Sequence, residues 1–248
     1  MVTSIKPANP QDEEAAKKAT PAATSATPQP TEEPVQLFQQ QQDQISSFSH
    51  GLLVDDDEEE VAMLFEMENM HLPREDYLMR LQNGDLDPTH RRDSIHWIAK
   101  VIDYYDFGPL SAYLSANYLD RFVSVNQLPA NPCVMQLLAV TCLSLAAKVE
   151  ETRRPPSLYL QACEPKFTFQ VTTIKRMDLL VLSTLNWRMV SVTPFSFIDY
   201  FLIKINGHKP SRTLISASVQ LVGATVGEDL TSPRVHVGAS QGITGIRK

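Results

Sequence analysis

From Arg91 onward, apolar residues recur every three or four positions along this chain. Ile95, Ile98, Val101 and Ile102, followed by Tyr105, mark the first such face, at the spacing of an amphipathic helix. Gly108-Pro109 breaks that helix, and Leu110–Phe122 forms the next. Asn131-Pro132 supplies an N-cap and a first-turn proline for a third helix reaching about Glu151. This third helix is apolar on nearly every face, so it belongs at the centre of the fold. Pro155-Pro156 stops it. Thr168 is placed to cap a helix ending at Leu185, Thr193-Pro194 opens another through Ile203, and a further helix lies around Ser211–Val226. Ahead of all these, an amphipathic stretch runs from Val61 to about Gln82. No convincing strand alternation occurs, so the expected fold is all-α with short connections.

Composition changes the picture at the N-terminus. Residues 1–60 are rich in Pro, Ala, Thr, Gln and Glu and poor in large apolar side chains, and they end in the acidic cluster Asp55–Glu60. Such a segment buries too little surface to offset its ordering entropy and is expected to be disordered. Thr20-Pro21 and Thr27-Pro28 are minimal sites for proline-directed phosphorylation. Residues 1–75 hold four Lys/Arg against fifteen Asp/Glu, or −11, and the rest hold eighteen against fourteen, or +4. An acidic tail before a near-neutral body argues against a general nucleic-acid or membrane-surface binder.

Other site chemistries find little support. Cys133, Cys142 and Cys163 form no Cys-x-x-Cys pair, and the first two fall in one predicted helix, which disfavours a disulfide framework or zinc site. The six histidines show no metal-ligand spacing, Gly238-x-x-x-Gly242 lacks the context of a phosphate loop, and no cofactor is expected. The apolar stretch Leu137–Val149 is read as too short and interrupted to span a bilayer, and no basic-then-apolar leader is seen. Nucleus and cytoplasm are the expected locations.

Charged residues inside apolar helices are the informative exceptions, because they are costly unless paired. Asn117-Tyr118-Leu119-Asp120-Arg121-Phe122 and Leu143–Glu151 both carry them. Asp178 lies on the stripe of Ile174, Val181, Leu182 and Leu185, and Lys148 lies one turn beyond Leu145. As an ammonium near a helix C-terminus, Lys148 is also favoured by the carbonyls there. Spacing leaves two readings open: Lys148 and Asp178 pair within the chain or flank its core, or they form a polar edge aimed at another protein.

Arg91–Trp97, Asn117–Ser124, Leu143–Glu151 and Ile174–Trp187 together resemble the cyclin box, in the same order and at similar spacing. Asn117–Phe122 and Val149-Glu150-Glu151-Thr152 are most similar to plant D-type cyclins. The resemblance covers roughly residues 62–205. It implies five helices around a central third one, a fold usually present twice, and no catalysis by the chain itself. The implied role is an activating subunit of a cyclin-dependent Ser/Thr kinase at the G1-to-S transition, with kinase inhibitors as further partners. Lys148, Asp178 and Glu151 match kinase-binding positions, with aspartate at 178 where the family usually has glutamate. Arg91 and Asp120 match an internal ion pair tying the first box helix to the second.

Three departures from the family follow. Trp97 and Gln136 match a substrate-docking groove, but His90, Asp93 and Ser94 replace the apolar residues around them, and Lys100 reverses a charge that would receive a substrate arginine. Leu52-x-Val54-x-Asp56 is a degenerate form of the Leu-x-Cys-x-Glu motif for pocket proteins, better read as acidic linker. After Thr193 a second cyclin fold begins, then runs into a Gly- and Ser-rich stretch. The expected organisation is therefore a tail over 1–60, a helical segment over 61–90, a cyclin box over 91–191, an incomplete second fold over 192–230 and a flexible tail over 231–248. Exposed apolar surface is expected on the second-fold helices. Two alternatives accompany the leading reading: a non-activating variant competing for the kinase, and a transcription-factor-IIB-like adaptor. The body has no basic helix stripe to favour the adaptor.

Overall fold

A computed structural model describes residues 58–84, 87–126, 128, 131–162, 167–207 and 210–226. Every regular element among them is helical. In order they are α1 (Glu58–Asn69), α2 (Tyr77–Gln82), α3 (Pro88–Tyr105), α4 (Pro109–Val125), α5 (Pro132–Glu150), α6 (Ser157–Leu160), α7 (Val171–Thr184), a 3₁₀ turn (Pro194–Phe197), α8 (Ile198–Asn206) and α9 (Arg212–Thr225). Residues 1–57 of the expected tail over 1–60, the whole expected tail over 231–248, the Leu52/Val54/Asp56 motif and Cys163 lie outside the described residues.

Local chemistry sets the ends of these helices. Asp87 accepts from the Thr89 N–H (2.8 Å) and Asn131 from the Cys133 N–H (2.9 Å), each followed by a first-turn proline. The cap at Asp87 starts α3 at Pro88, three residues before the expected Arg91. Asp106 closes α3 in the left-handed region at φ 55°, a conformation that aspartate tolerates better than most residues.

The amphipathic stretch from Val61 is two helices rather than one. The chain turns at His71-Leu72-Pro73, because proline cannot continue the helix. Thr168 does not cap α7. The Gln161 amide bonds Phe169 on both sides, donating to its carbonyl (2.9 Å) and accepting from its N–H (2.7 Å). Residue 169 is thereby held outside the helix, and Gln170 becomes the N-cap. Thr193-Pro194 opens a 3₁₀ turn first, with the Thr193 N–H donating to Ser196 Oγ (3.4 Å), and the α-helix begins only at Ile198.

The unit α3–α7 is a five-helix bundle with α5 at its centre, in contact with α3, α4, α6 and α7. Leu138, Ala139, Val140, Cys142, Leu143 and Ala146 of α5 have no solvent exposure. By length and composition α5 could cross a bilayer, contrary to the shorter run read from the sequence, but it is 67% buried here. Its apolar character is that of a core helix wrapped on all sides. Around it pack Tyr118, Leu119 and Phe122 of α4, Ile98 and Val101 of α3, and Ile174 and Val181 of α7. A smaller core joins α1 to the chain after the bundle: Val61 and Leu64 meet Val192 and Phe197, and the Phe65 and Phe197 rings stack at 4.7 Å.

Candidate functional site

Two sets of charged residues occupy opposite environments. In the first, Arg91 of α3 meets Asp120 of α4 as a fork. Nε donates to Oδ1 (2.7 Å) and Nη2 to Oδ2 (2.9 Å), and the two side chains are 10% and 7% exposed. Tyr77 of α2 donates its hydroxyl to Asp120 Oδ1 (2.7 Å), so three elements converge on one carboxylate. Burial and the Asp120 charge both push the Tyr77 phenol well above its ordinary range. Burial works against the Arg91 cation, but Asp120 overrides it and holds the guanidinium firmly charged. Sequence reading missed Tyr77. The available signal was that a buried tyrosine needs a partner for its hydroxyl, yet its partner stands 43 positions away.

The rest of the Asn117–Arg121 motif also turns inward. Asn117 donates to the His71 carbonyl (2.9 Å), Tyr118 to the Met189 carbonyl, and Arg121 Nη1 to the Arg188 carbonyl (2.9 Å). These bonds fasten the turn after α1 and the exit from α7 onto α4. Asn186 and Trp187 in that exit have φ of 52° and 60°, a conformation that costs a non-glycine residue energy. Burial, and after it the Arg188 charge, brings the Arg121 pKa down to about 10. Burial first, then Arg121, lowers His71 to about 4, so its imidazole is neutral near pH 7.

The second set lies at the bundle edge. Lys148, in the last turn of α5, donates from Nζ to Asp178 Oδ2 of α7 (2.9 Å). Here exposure is lopsided: 46% for the lysine side chain and 12% for the aspartate. Asp178 Oδ1 is buried and has no hydrogen-bond partner. An acceptor in that condition is costly, about 1–3 kcal/mol. Val171 lies two turns earlier on the same face of α7 and is exposed, giving the edge an apolar neighbour. Arg154 donates to the Lys148 carbonyl (2.6 Å), tying the following loop to the end of α5.

Glu151, grouped with this edge by the resemblance, turns toward α4. Its Oε1 accepts from the Gly108 N–H (2.8 Å) and the Ser111 hydroxyl (2.5 Å). Gly108 is the N-cap of α4, and Glu151 accepts its backbone N–H from a distant element, as the N3 residue of a capping box would from within the helix. Trp97 and Gln136 are both buried. Among the described residues, no group of His, Cys, Asp and Glu could hold a metal ion.

Residues 59–190 match the family model described as the cyclin N-terminal domain, which is the α1–α7 region with both charged sets inside it. The chain belongs to the cyclin family. Within that family its likeness is to plant D-type members. It is 58% identical over 158 residues to Cyclin-D4-1 of Oryza sativa subsp. japonica, covering 62% of this chain and 44% of that one. It is 46% identical over 186 residues to Cyclin-D4-1 of Arabidopsis thaliana, covering 73% and 60%. With Cyclin-D3-1 of Oryza sativa subsp. japonica the identity is 48% over 194 residues, covering 75% and 57%. The chain thus spans about half the length of the relatives it matches.

Proposed function

We propose that this chain is a regulatory subunit that binds and activates a cyclin-dependent Ser/Thr kinase in control of the G1-to-S transition. The observation that carries this reading is the half-satisfied Asp178 at an exposed edge. Lys148 holds the carboxylate through Oδ2, and Oδ1, buried and unbonded in the free chain, accepts from a kinase backbone N–H once docking turns the Asp178 side chain outward. The ammonium has two further donors for kinase carbonyls. Aspartate reaches one methylene less far than the glutamate usual in the family, so a bridging water completes the longer contact.

Activation follows from what a kinase needs. Its nucleotide is held productively only when the strand lysine pairs with the glutamate of the kinase C helix. A subunit that binds only the inward position of that helix shifts the population to the active state by its differential affinity. The chain itself performs no chemistry in this scheme. Burial of Arg91 and Asp120 away from the edge assigns them to holding α3 and α4 in register behind it.

Co-purification with a cyclin-dependent kinase, followed by a histone phosphorylation assay, tests the reading. The chain is expected to bind and to stimulate phosphorylation, and Lys148→Glu to abolish both while retaining the helical signal. No binding by the unsubstituted chain would sink it. Binding without stimulation would instead favour a competitor of activating cyclins.

A further inference from the structure

Arginine followed three positions later by serine occurs four times in this chain: Arg91–Ser94, Arg121–Ser124, Arg154–Ser157 and Arg188–Ser191. An extended segment of that pattern suits a basophilic Ser/Thr kinase, whose acidic substrate cleft takes up the guanidinium. The fold withholds three of the four. Ser94 lies within α3 and Ser124 within α4, both buried, and Ser191 is buried beside Val192 of the smaller core. Two of their arginines are engaged as well, Arg91 on Asp120 and Arg121 on the Arg188 carbonyl.

Arg154–Ser157 is placed differently. Residues 151–156 join α5 to α6 without forming a helix, and Thr152, Arg153, Arg154 and Pro156 are exposed. Pro155-Pro156 holds this stretch extended, the form a kinase cleft binds. Arg153 adds a second cation, and Leu158, 41% exposed, supplies an apolar residue directly after the serine. Ser157 is half-buried, with its Oγ 2.5 Å from Ser144 Oγ of α5. One neutral hydrogen bond is a weak latch, and α6, four residues long, is too short to persist by itself.

The surroundings of Ser157 decide what a phosphate does there. Ser144 lies one helical turn before Lys148, so the two side chains share a face of α5. Arg154 reaches the same helix end, donating to the Lys148 carbonyl (2.6 Å). Helices α6 and α7 both pack on α5 and touch each other. The Ser144–Ser157 contact and the Lys148–Asp178 pair thus leave α5 one turn apart.

We propose that Ser157 is a phosphorylation site for a basophilic Ser/Thr kinase, and that its phosphate draws Lys148 away from Asp178. In the transfer the Ser157 Oγ–H bond breaks, the oxygen bonds the γ-phosphorus of ATP, ADP leaves, and the proton passes to the catalytic aspartate of that kinase. The product carries a charge near −2 and three acceptor oxygens. Ser144 is 3% exposed and leaves no room for them, so they turn toward Arg154 and the half-exposed Lys148 ammonium. Asp178, already without a partner on Oδ1, then loses the ammonium on Oδ2. The regulatory consequence rests on the docking role proposed above: an edge that loses its oriented pair and gains negative charge binds the cyclin-dependent kinase less well.

Three measurements on the full chain test this. Treatment with the catalytic subunit of cyclic-AMP-dependent protein kinase and ATP, read by peptide mass spectrometry, should place phosphate on Ser157 and none on Ser94, Ser124 or Ser191. Arg154→Gln should lower kcat/KM for that step about tenfold or more. By phosphorus NMR, the Ser157 phosphate should titrate below its ordinary pKa of about 6, and Lys148→Met should return it toward that value. Affinity for the cyclin-dependent kinase should fall about tenfold or more on phosphorylation, while Ser157→Ala, treated alike, keeps its affinity. Ser157 left unmodified in the folded chain overturns the proposal. So does a titration that Lys148→Met leaves unchanged, or a phosphorylated chain that binds the cyclin-dependent kinase undiminished. An untreated chain that fails to bind it overturns the docking role instead, and the first two measurements still decide the site.

Discussion

Replacing Arg91 by methionine isolates what the buried fork contributes. The change keeps much of the side-chain volume and removes both guanidinium donors from Asp120, whose side chain is only 7% exposed. Stranding one charge of a buried pair costs about 3–5 kcal/mol. Tyr77 still donates to Oδ1, which puts the expected loss at the lower end of that range. Against a total stability of roughly 5–15 kcal/mol, this is a large share. Tyr77→Phe, which removes one bond to a charged acceptor, should cost about 1.5–3 kcal/mol. The informative variant is the double one, Arg91→Met with Asp120→Leu. It strands no charge and should be more stable than Arg91→Met alone, so the two substitutions are strongly non-additive. The same truncation at Lys148 should cost less than at Arg91, because the lysine half of that pair is 46% exposed and water can replace it. Urea unfolding followed by helical circular dichroism measures these four and the Asp120→Leu single, through the midpoint at constant slope. An Arg91→Met loss no larger than that of Lys148→Met would refute the reasoning. So would a double variant as unstable as the summed singles.

Three further outcomes follow from the geometry. His71 has a folded pKa of about 4 against an ordinary 6.5, so the unfolded chain binds its proton first as pH falls. Its contribution is complete above pH 6.5 and is lost between 6.5 and about 4, roughly 3 kcal/mol in all. His71→Gln should flatten that part of the stability–pH curve, and an unchanged slope would contradict the assignment. Glu151→Ala should cost about 1–3 kcal/mol by leaving the Gly108 N–H and the Ser111 hydroxyl without their acceptor, measured by the shift in urea midpoint, while Glu151→Gln recovers part of it. Burial raises the Cys142 thiol well above its usual range. In a Cys163→Ser background, Cys142 should resist maleimide until the chain unfolds, whereas half-buried Cys133 should react first; equal rates would be the contrary result.

The bundle was legible because its signals are local. An apolar face every three or four residues marks α3, the Gly108-Pro109 break separates it from α4, and a first-turn proline after the Asn131 cap starts α5. The apolar girth of α5 alone puts it at the centre. What failed depended on contacts distant in sequence. Thr168 looks like a cap, but the Gln161 amide grips Phe169 and delays the helix. Val61–Gln82 looks continuous in hydrophobicity, but the chain turns at Pro73 and the Asn117 side chain reaches across to hold the His71 carbonyl. The resemblance places Glu151 at the docking edge, and what no local signal could add is that it also bonds the start of α4. Its partner at Gly108 is 43 positions earlier, and no spacing rule points there.

The pairs Arg91–Asp120 and Lys148–Asp178 have the same chemistry and nearly the same separation in sequence, 29 and 30 positions. Only what surrounds each carboxylate distinguishes them. Asp120 accepts on both oxygens, from Arg91 and from Tyr77, and has nothing left to offer a partner. Asp178 accepts on one oxygen and keeps the other buried and unbonded. Folding stability alone would favour filling that oxygen or replacing the residue by an apolar one, since isosteric apolar replacements of ion pairs are often neutral or stabilising. The unfilled acceptor beside an exposed lysine is the group that the proposed kinase contact would satisfy. On this argument Asp178→Leu with Lys148→Met should leave the free chain as stable as before, or more so, while removing its affinity for the kinase.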